Sequence, residues 1–106
     1  MAKRPGGTGS GDRAALDRLV HEPARLAVMA QLYVVESADF TLLMHRTGLT
    51  WGNLSAHMSK LEEGGYIEVV KSFRGRRPNT TLRLTRQGRE AFREYGRKMK
   101  QFISPG

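Results

Sequence analysis

One stretch of the chain, residues 49–67, most constrains the fold, because it joins a capped helix directly to a β-strand. Thr50 is well suited to cap the helix, since its hydroxyl can accept a hydrogen bond from a free first-turn amide. Leu54, Met58 and Leu61 then recur at helical spacing and lie on one side of the helix. The helix ends at a glycine pair. The sequence therefore predicts a helix anchored along one side, with its opposite side free to meet a partner.

That opposite side is small and polar, which is the pattern of a helix that enters a groove. We predict a recognition helix over residues 50–64, and its outer face comprises Gly52, Asn53, Ala56, Ser59 and Lys60.

Two helices are predicted earlier in the chain. A short first helix is expected from Asp12, with Leu16, Leu19 and Val20 on its apolar edge. A second helix over residues 23–35 begins at a proline, which is tolerated at the first helical position. Its apolar surface is wider than one stripe, so we expect it to be central in the domain.

A polar connector and a third helix complete a helix-turn-helix pattern. Residues 36–39 are expected to be the connector, Phe40 an extended residue, and Thr41 the cap of a helix that ends at Gly48. A short helix, a glycine turn and a second helix follow in the order of a helix-turn-helix.

Beyond the glycine pair, alternating apolar residues predict a β-hairpin. One strand is expected over residues 66–73, a turn over 74–79 and a return strand over 80–84. No acid is near the tip, whose four cations are Lys71, Arg74, Arg76 and Arg77. This hairpin is the predicted wing.

A last helix is predicted from Thr85, its cap, over about residues 86–102. Gly88 and Gly96 lower its intrinsic helix propensity, so packing has to stabilise it. The spacing of its apolar stripe is typical of a coiled-coil interface, although ordinary core packing is the alternative. We favour dimerisation, through residues of the first and last helices: Leu16, Leu19, Phe92, Tyr95, Met99 and Phe102.

Length and charge favour one basic domain with an anionic partner. The chain has 106 residues and a formal charge of +8, with thirteen arginines. Arginine suits bidentate contact with phosphate or guanine, so nucleic acid is favoured over a merely well-solvated basic protein. We expect a flexible tail over residues 1–11 and a single winged domain over residues 12–103. The fold class is α+β and mostly helical, with a two-stranded wing and a long C-terminal helix.

Several other classes are disfavoured. Cysteine is absent, which excludes disulfides and thiolate zinc sites. His21, His45 and His57 lack ligand spacing, and no catalytic or phosphate-cradling motif is present, so we expect no metal, no cofactor and no enzyme. No apolar run could span a bilayer and no secretory signal is evident, so no membrane association and a cytoplasmic location are expected.

The ordered motifs resemble bacterial and archaeal winged-helix transcriptional regulators of the MarR/ArsR type. The resemblance covers about residues 14–102 and is carried by residues 19–26, 48–67, 75–78 and 84–89. In that family the recognition helix enters the major groove, the wing arginines reach the flanking backbone, and terminal helices build a two-fold dimer. By position, the resemblance implies a groove-facing set of Thr50, Trp51, Asn53, Ser55, His57 and Lys60.

Individual roles within that set differ. Asn53 is the best candidate for a base contact, because an amide can pair with adenine, or it is simply solvated. Lys60 and Ser55 are expected on phosphates. His57 either packs, makes a local hydrogen bond or contacts DNA. Trp51 departs from the small polar or basic residue that is usual at its position, and could stack on a sugar or fill a gap beside the wing.

Two functions remain open. The first is a homodimeric regulator that binds near-palindromic duplex DNA, with half-sites about 10 bp apart. The alternative is a winged-helix module that binds a protein and has only non-specific affinity for DNA. A small-molecule effector is not identifiable from the sequence, since an apolar pocket lined by Tyr33, Phe92 and Tyr95 is equally well explained as core.

Overall fold

The computed structural model describes residues 16–103, which form four helices and a three-stranded antiparallel sheet with strand order β1-β3-β2. The elements in chain order are α1 (Pro23–Val35), β1 (Ser37–Asp39), α2 (Phe40–Thr47), α3 (Trp51–Glu63), β2 (Ile67–Arg74), β3 (Arg77–Leu84) and α4 (Arg86–Ile103). This confirms the predicted winged helix-turn-helix and adds one strand to it.

Helix α1 is central, as its wide apolar surface predicts. The Glu22 carboxylate caps it by accepting from the Arg25 amide at 2.8 Å, with Pro23 at the first position. Val28, Met29 and Leu32 are buried in the core.

The predicted first helix is wrong over the residues that the structure describes, since residues 18–20 form a turn. The Asp17 carboxylate accepts a hydrogen bond from the Leu19 amide at 2.9 Å. Such a local side-chain bond competes with helical hydrogen bonding and favours a turn. The predicted cap Asp12 and the predicted tail lie outside the described residues.

The connector before α2 is a strand rather than a loop, which corrects the prediction for residues 36–39. Ser37, Ala38 and Asp39 pair with residues 81–83 of β3. Asp39, and not Thr41, caps α2, since its carboxylate accepts from the Leu42 amide at 2.8 Å.

Three predicted helix boundaries are confirmed. Gly48 ends α2 in the left-handed conformation, with φ of 75°, where glycine carries no steric penalty. Thr50 caps α3 by accepting from the Asn53 amide at 3.1 Å. Thr85 caps α4 by accepting from the Gly88 amide at 2.9 Å, and its hydroxyl donates to the Gly65 carbonyl at 2.7 Å.

The wing is longer and its turn is tighter than predicted. Arg74 and Arg77 are paired, so only Gly75 and Arg76 form the turn, with Gly75 at φ of 66°. The return strand begins at Arg77 instead of residue 80. Pro78 is tolerated in β3 because β1 pairs only with residues 81–83, which leaves this part of the strand with a free edge.

The core lies between the four helices and the sheet. Its fully buried members come from the turn before α1, from α1 to α3 and from β3: Val20, Val28, Met29, Leu32, Leu43, Leu54, Leu61 and Leu82. Helix α3 is thereby fixed against the body of the domain along one side only.

Candidate nucleic-acid interface

The outer face of α3 is exposed, as the sequence predicts. Leu54 and Leu61 are fully buried and Met58 partly so, which fixes the inner side. The five residues of the predicted outer face, from Gly52 to Lys60, are all exposed. Both candidate polar contacts on it, Asn53 and Lys60, are therefore open to solvent.

His57, in contrast, faces the start of α1. Its Nδ1 lies 3.2 Å from Arg25 Nη1, and since a guanidinium only donates, the imidazole nitrogen accepts. Glu22 Oε1 lies 3.9 Å from the same nitrogen. Arg25 also donates from Nε to the Leu19 carbonyl at 2.7 Å. His57 thus joins the inner side of α3 to α1. Thr50, Trp51 and Asn53, at the N-terminal end of α3, are exposed.

The sequence does not predict the supporting role of Arg25. Its only sequence signal is position, because it follows the cap Glu22 and Pro23 by a few residues. Nothing local links it to His57, which is 32 residues away in the chain. The backbone hydrogen bond from the Arg25 amide holds the pKa of Glu22 below its ordinary value, so this carboxylate stays charged beside the arginine.

Trp51 stands at the first position of α3 and remains 66% exposed. One side of its indole lies against Phe40, with ring centroids 5.7 Å apart and planes tilted by 55°. The contact orients the indole and leaves its other surface in water.

The wing presents its cations to solvent. Lys71, Arg74, Arg76 and Arg77 are all exposed along the outer half of the hairpin. Arg74 Nη2 lies 3.9 Å from the Asp39 carboxylate, so part of its charge is offset within the protein. Arg76 and Arg77 therefore provide the most available positive charge at the tip.

A groove of about 340 Å³ separates the first half of α3 from the wing. It brings the two predicted DNA-binding elements to one surface. Its lining residues come from α2, α3 and both wing strands: Phe40, Thr41, Trp51, Ser55, Met58, Lys71, Pro78, Asn79 and Thr80.

The residues predicted to form a dimer interface separate into two groups. Tyr95 is only 7% exposed, and its hydroxyl lies 2.7 Å from His21 Nδ1, so its ring belongs to the core of the protomer. The partly buried members also pack on that core: Leu16, Leu19, Phe92 and Met99. Phe102 is 48% exposed.

The aromatic residues considered for an effector pocket make contacts within the protomer. The rings of Tyr33 and Phe92 pack against each other, with centroids 5.0 Å apart and planes tilted by 37°. Arg93 Nε donates to the Tyr33 hydroxyl at 3.0 Å, and the Arg89 guanidinium lies 4.9 Å from the Tyr33 ring centre. Their interpretation as packing residues is the simpler one.

The part of the chain from residue 16 to residue 103 contains no group of three histidine, aspartate or glutamate side chains able to hold a metal ion. Over the same residues, none of the helices is long and apolar enough to cross a membrane.

These features define a winged-helix protein in which helix α3 has an exposed outer face and the wing is basic. Residues 24–103 match the family of winged helix DNA-binding domains, and the chain belongs to that family. An uncharacterized protein from Methanocaldococcus jannaschii is 37% identical over 78 residues, which cover 74% of this chain and 85% of that protein.

Solved structures of other proteins have the same fold. A transcriptional regulator homologue from Pyrococcus horikoshii is similar to this protein, with a TM-score of 0.80 and 28% identity. The match covers 84% of this chain and 88% of the Pyrococcus chain. A MarR-family regulator from Silicibacter pomeroyi shares the fold, with a TM-score of 0.64 and 17% identity. The match covers 82% of this chain and 57% of the Silicibacter chain. The family model thus confirms the winged-helix family that the sequence indicates, and the solved structures confirm the fold.

Proposed function

We propose that the protein is a homodimeric transcriptional regulator that binds duplex DNA in a sequence-specific manner. Helix α3 enters the major groove, and the wing lies on the flanking backbone or minor groove. The observation that carries the proposal is the common groove between α3 and the wing, since it directs both elements toward one partner. Membership of the DNA-binding family and the charge of +8 support a nucleic-acid partner.

Different residues serve different parts of the contact. Asn53, exposed near the start of α3, is assigned to a base edge, where an amide pairs with adenine. Ser55 and Lys60 are assigned to phosphates, which fix register without reading sequence. Arg76 and Arg77 at the wing tip are assigned to the backbone beside the groove. His57 holds α3 through Arg25 and acts on DNA only through the position of the helix.

A two-fold dimer is the assembly that suits this contact. Two copies of α3 would reach successive major grooves about 34 Å apart on one side of the duplex. The candidate contact surface is the end of α4, where Phe102 and Ile103 are 48% and 73% exposed.

Selection of bound duplexes from a random pool tests the proposal. A two-fold symmetric preferred sequence is expected, and it provides the duplex for titrations at several salt concentrations. Replacing Arg76 and Arg77 with alanine should weaken binding to every duplex. The homodimer would lose four phosphate contacts, two in each subunit, which should reduce the magnitude of the slope of log affinity against log salt by about 3.6.

The matched control replaces Arg97 and Lys100, which lie on α4, with alanine and removes the same charge. Its salt slope should equal that of the wild type. An unchanged slope in the wing variant would exclude the wing as a backbone contact. Enrichment of no sequence, with weak affinity that collapses uniformly in salt, would favour the protein-binding module instead.

A further inference from the structure

The groove between α3 and the wing continues the inner face of the hairpin past the end of the core. Side chains alternate along a strand, so residues two apart share a face. Val69 of β2 packs against the core, and its strand neighbours on the same face are Lys71 and Phe73. Their partners on β3 are Thr80 and Pro78. The inner face therefore changes from apolar core to a cation and exposed rings where it leaves the helices.

Two large aromatic side chains are left in water beside this groove. Trp51 is 66% exposed, and Phe73, the cross-strand partner of the lining residue Pro78, is 72% exposed. Exposed apolar surface gathered beside a polar groove marks a place where a partner binds. The indole lies against Phe40, so this aromatic surface is already present in the protein without a partner.

The polar part of the groove suits an anion. Among its nine lining residues Lys71 carries the only formal charge, and none is acidic. The hydroxyls of Thr41, Ser55 and Thr80 add uncharged donors. One wall is thus apolar and aromatic, and the remainder is cationic and rich in donors.

We propose that this groove holds one sugar–phosphate unit of a DNA strand, with the Trp51 indole against the deoxyribose and Lys71 on the adjoining phosphate. This rests on the proposed function. In a duplex the bases are stacked and paired, so the outer edge of a strand offers C–H surface of the sugar and a charged phosphate, which match the two kinds of wall. A volume of about 340 Å³ lies at the small end of ligand sites, which suits one such unit.

The single tryptophan of the chain makes the proposal directly measurable, because all indole fluorescence arises from Trp51. Titration with the selected duplex should shift or quench this fluorescence. Bound DNA should also protect the indole from acrylamide, with a several-fold fall in the quenching constant. A labelled duplex followed by anisotropy reports binding independently of Trp51.

Two variants separate the two contacts. Trp51→Ala should weaken binding about tenfold, by analogy with aromatic stacking on nucleic acid, and leave the salt slope unchanged. Trp51→Phe should retain most of the affinity. Lys71→Gln removes one phosphate contact in each subunit of the dimer and should lower the magnitude of the salt slope by about 1.8, whereas Lys100→Gln on α4 should not change it. Thermal melts of each variant establish that the domain is folded.

The outcomes distinguish this inference from the function on which it rests. If anisotropy shows binding while the bound indole stays as accessible to acrylamide as the free one, the groove is not a nucleotide site and the regulator proposal stands. Equal affinity of Trp51→Ala and wild type has the same meaning. If no duplex binds, both proposals fall.

Discussion

At the scale of single residues, the two glycines of α4, Gly88 and Gly96, differ in whether the fold requires them. Gly88 is buried against Tyr66, which immediately precedes β2, and a Cβ at this position would overlap the Tyr66 backbone carbonyl. Backbone atoms cannot move aside as a side chain can. Gly96 is exposed, and a Cβ there would meet nothing within 4 Å. Only the first glycine is required by the fold.

Gly88→Ala should therefore destabilise the domain by about 1–3 kcal/mol, the usual range for overpacking. Gly96→Ala should stabilise it by up to about 1 kcal/mol, because alanine has the higher helix propensity. Urea unfolding followed by circular dichroism measures both, and each variant is the control for the other. Equal effects in the two variants would mean that the close approach at Gly88 is not maintained.

At the scale of elements, the features predictable from the sequence are those fixed by neighbouring residues. Thr50, Gly48 and Thr85 end or begin helices through bonds made within a few positions, and all three boundaries were correct. Strand β1 was missed because three residues are too few to show alternation. The early part of β3 was missed because Pro78 and Asn79 are typical turn residues.

The residues of the candidate site likewise separate into those that the sequence predicts and those that it does not. Helical periodicity alone predicts the exposed face of α3, which includes Asn53 and Lys60. The contacts of Trp51 with Phe40, and of His57 with Arg25, join elements far apart in the chain. No local pattern reports them, so the sequence left both side chains with several alternatives.

A hydrogen bond of Tyr66 shows how a contact between residues far apart in the chain contributes to the free energy of unfolding. Its hydroxyl, on the segment between α3 and β2, donates to the carboxylate of Asp17, 49 residues away. Burial, together with the hydrogen bond and the charge of Asp17, raises the pKa of Tyr66 above its ordinary value of 10. A raised folded-state pKa means that this contribution to stability is complete below about pH 10 and is lost as the pH rises further.

Tyr66→Phe should cost about 1 kcal/mol at pH 7, through loss of the hydrogen bond to Asp17. The difference in the free energy of unfolding between variant and wild type should narrow above pH 10, where ionisation of the unfolded tyrosine removes the advantage. Urea unfolding at pH 7 and pH 10.5 measures the two differences. A constant difference at both values would contradict the coupling of Tyr66 to Asp17.

At the scale of the whole molecule, the domain is elongated, with extents of 53 × 35 × 23 Å. Helix α4 has 18 residues and is about 27 Å long, and its final turn leaves Phe102 and Ile103 exposed. The apolar residues earlier in α4, by contrast, pack on the protomer core, and Tyr95 is buried in it. The proposed contact between subunits is therefore concentrated at the end of the helix.

Phe102→Glu should convert the proposed dimer into a folded monomer, because it places a charge in an apolar interface while altering a side chain that is half exposed in the protomer. Gln101→Glu adds the same charge at the exposed neighbouring position and should remain dimeric. Sedimentation equilibrium measures both masses. The monomer should bind a single half-site as the wild type does and lose the added affinity for a symmetric site, since that affinity comes from linking two contacts. A wild-type protein that sediments as a monomer, or a Phe102→Glu variant that keeps the dimer mass, would remove the end of α4 from the interface.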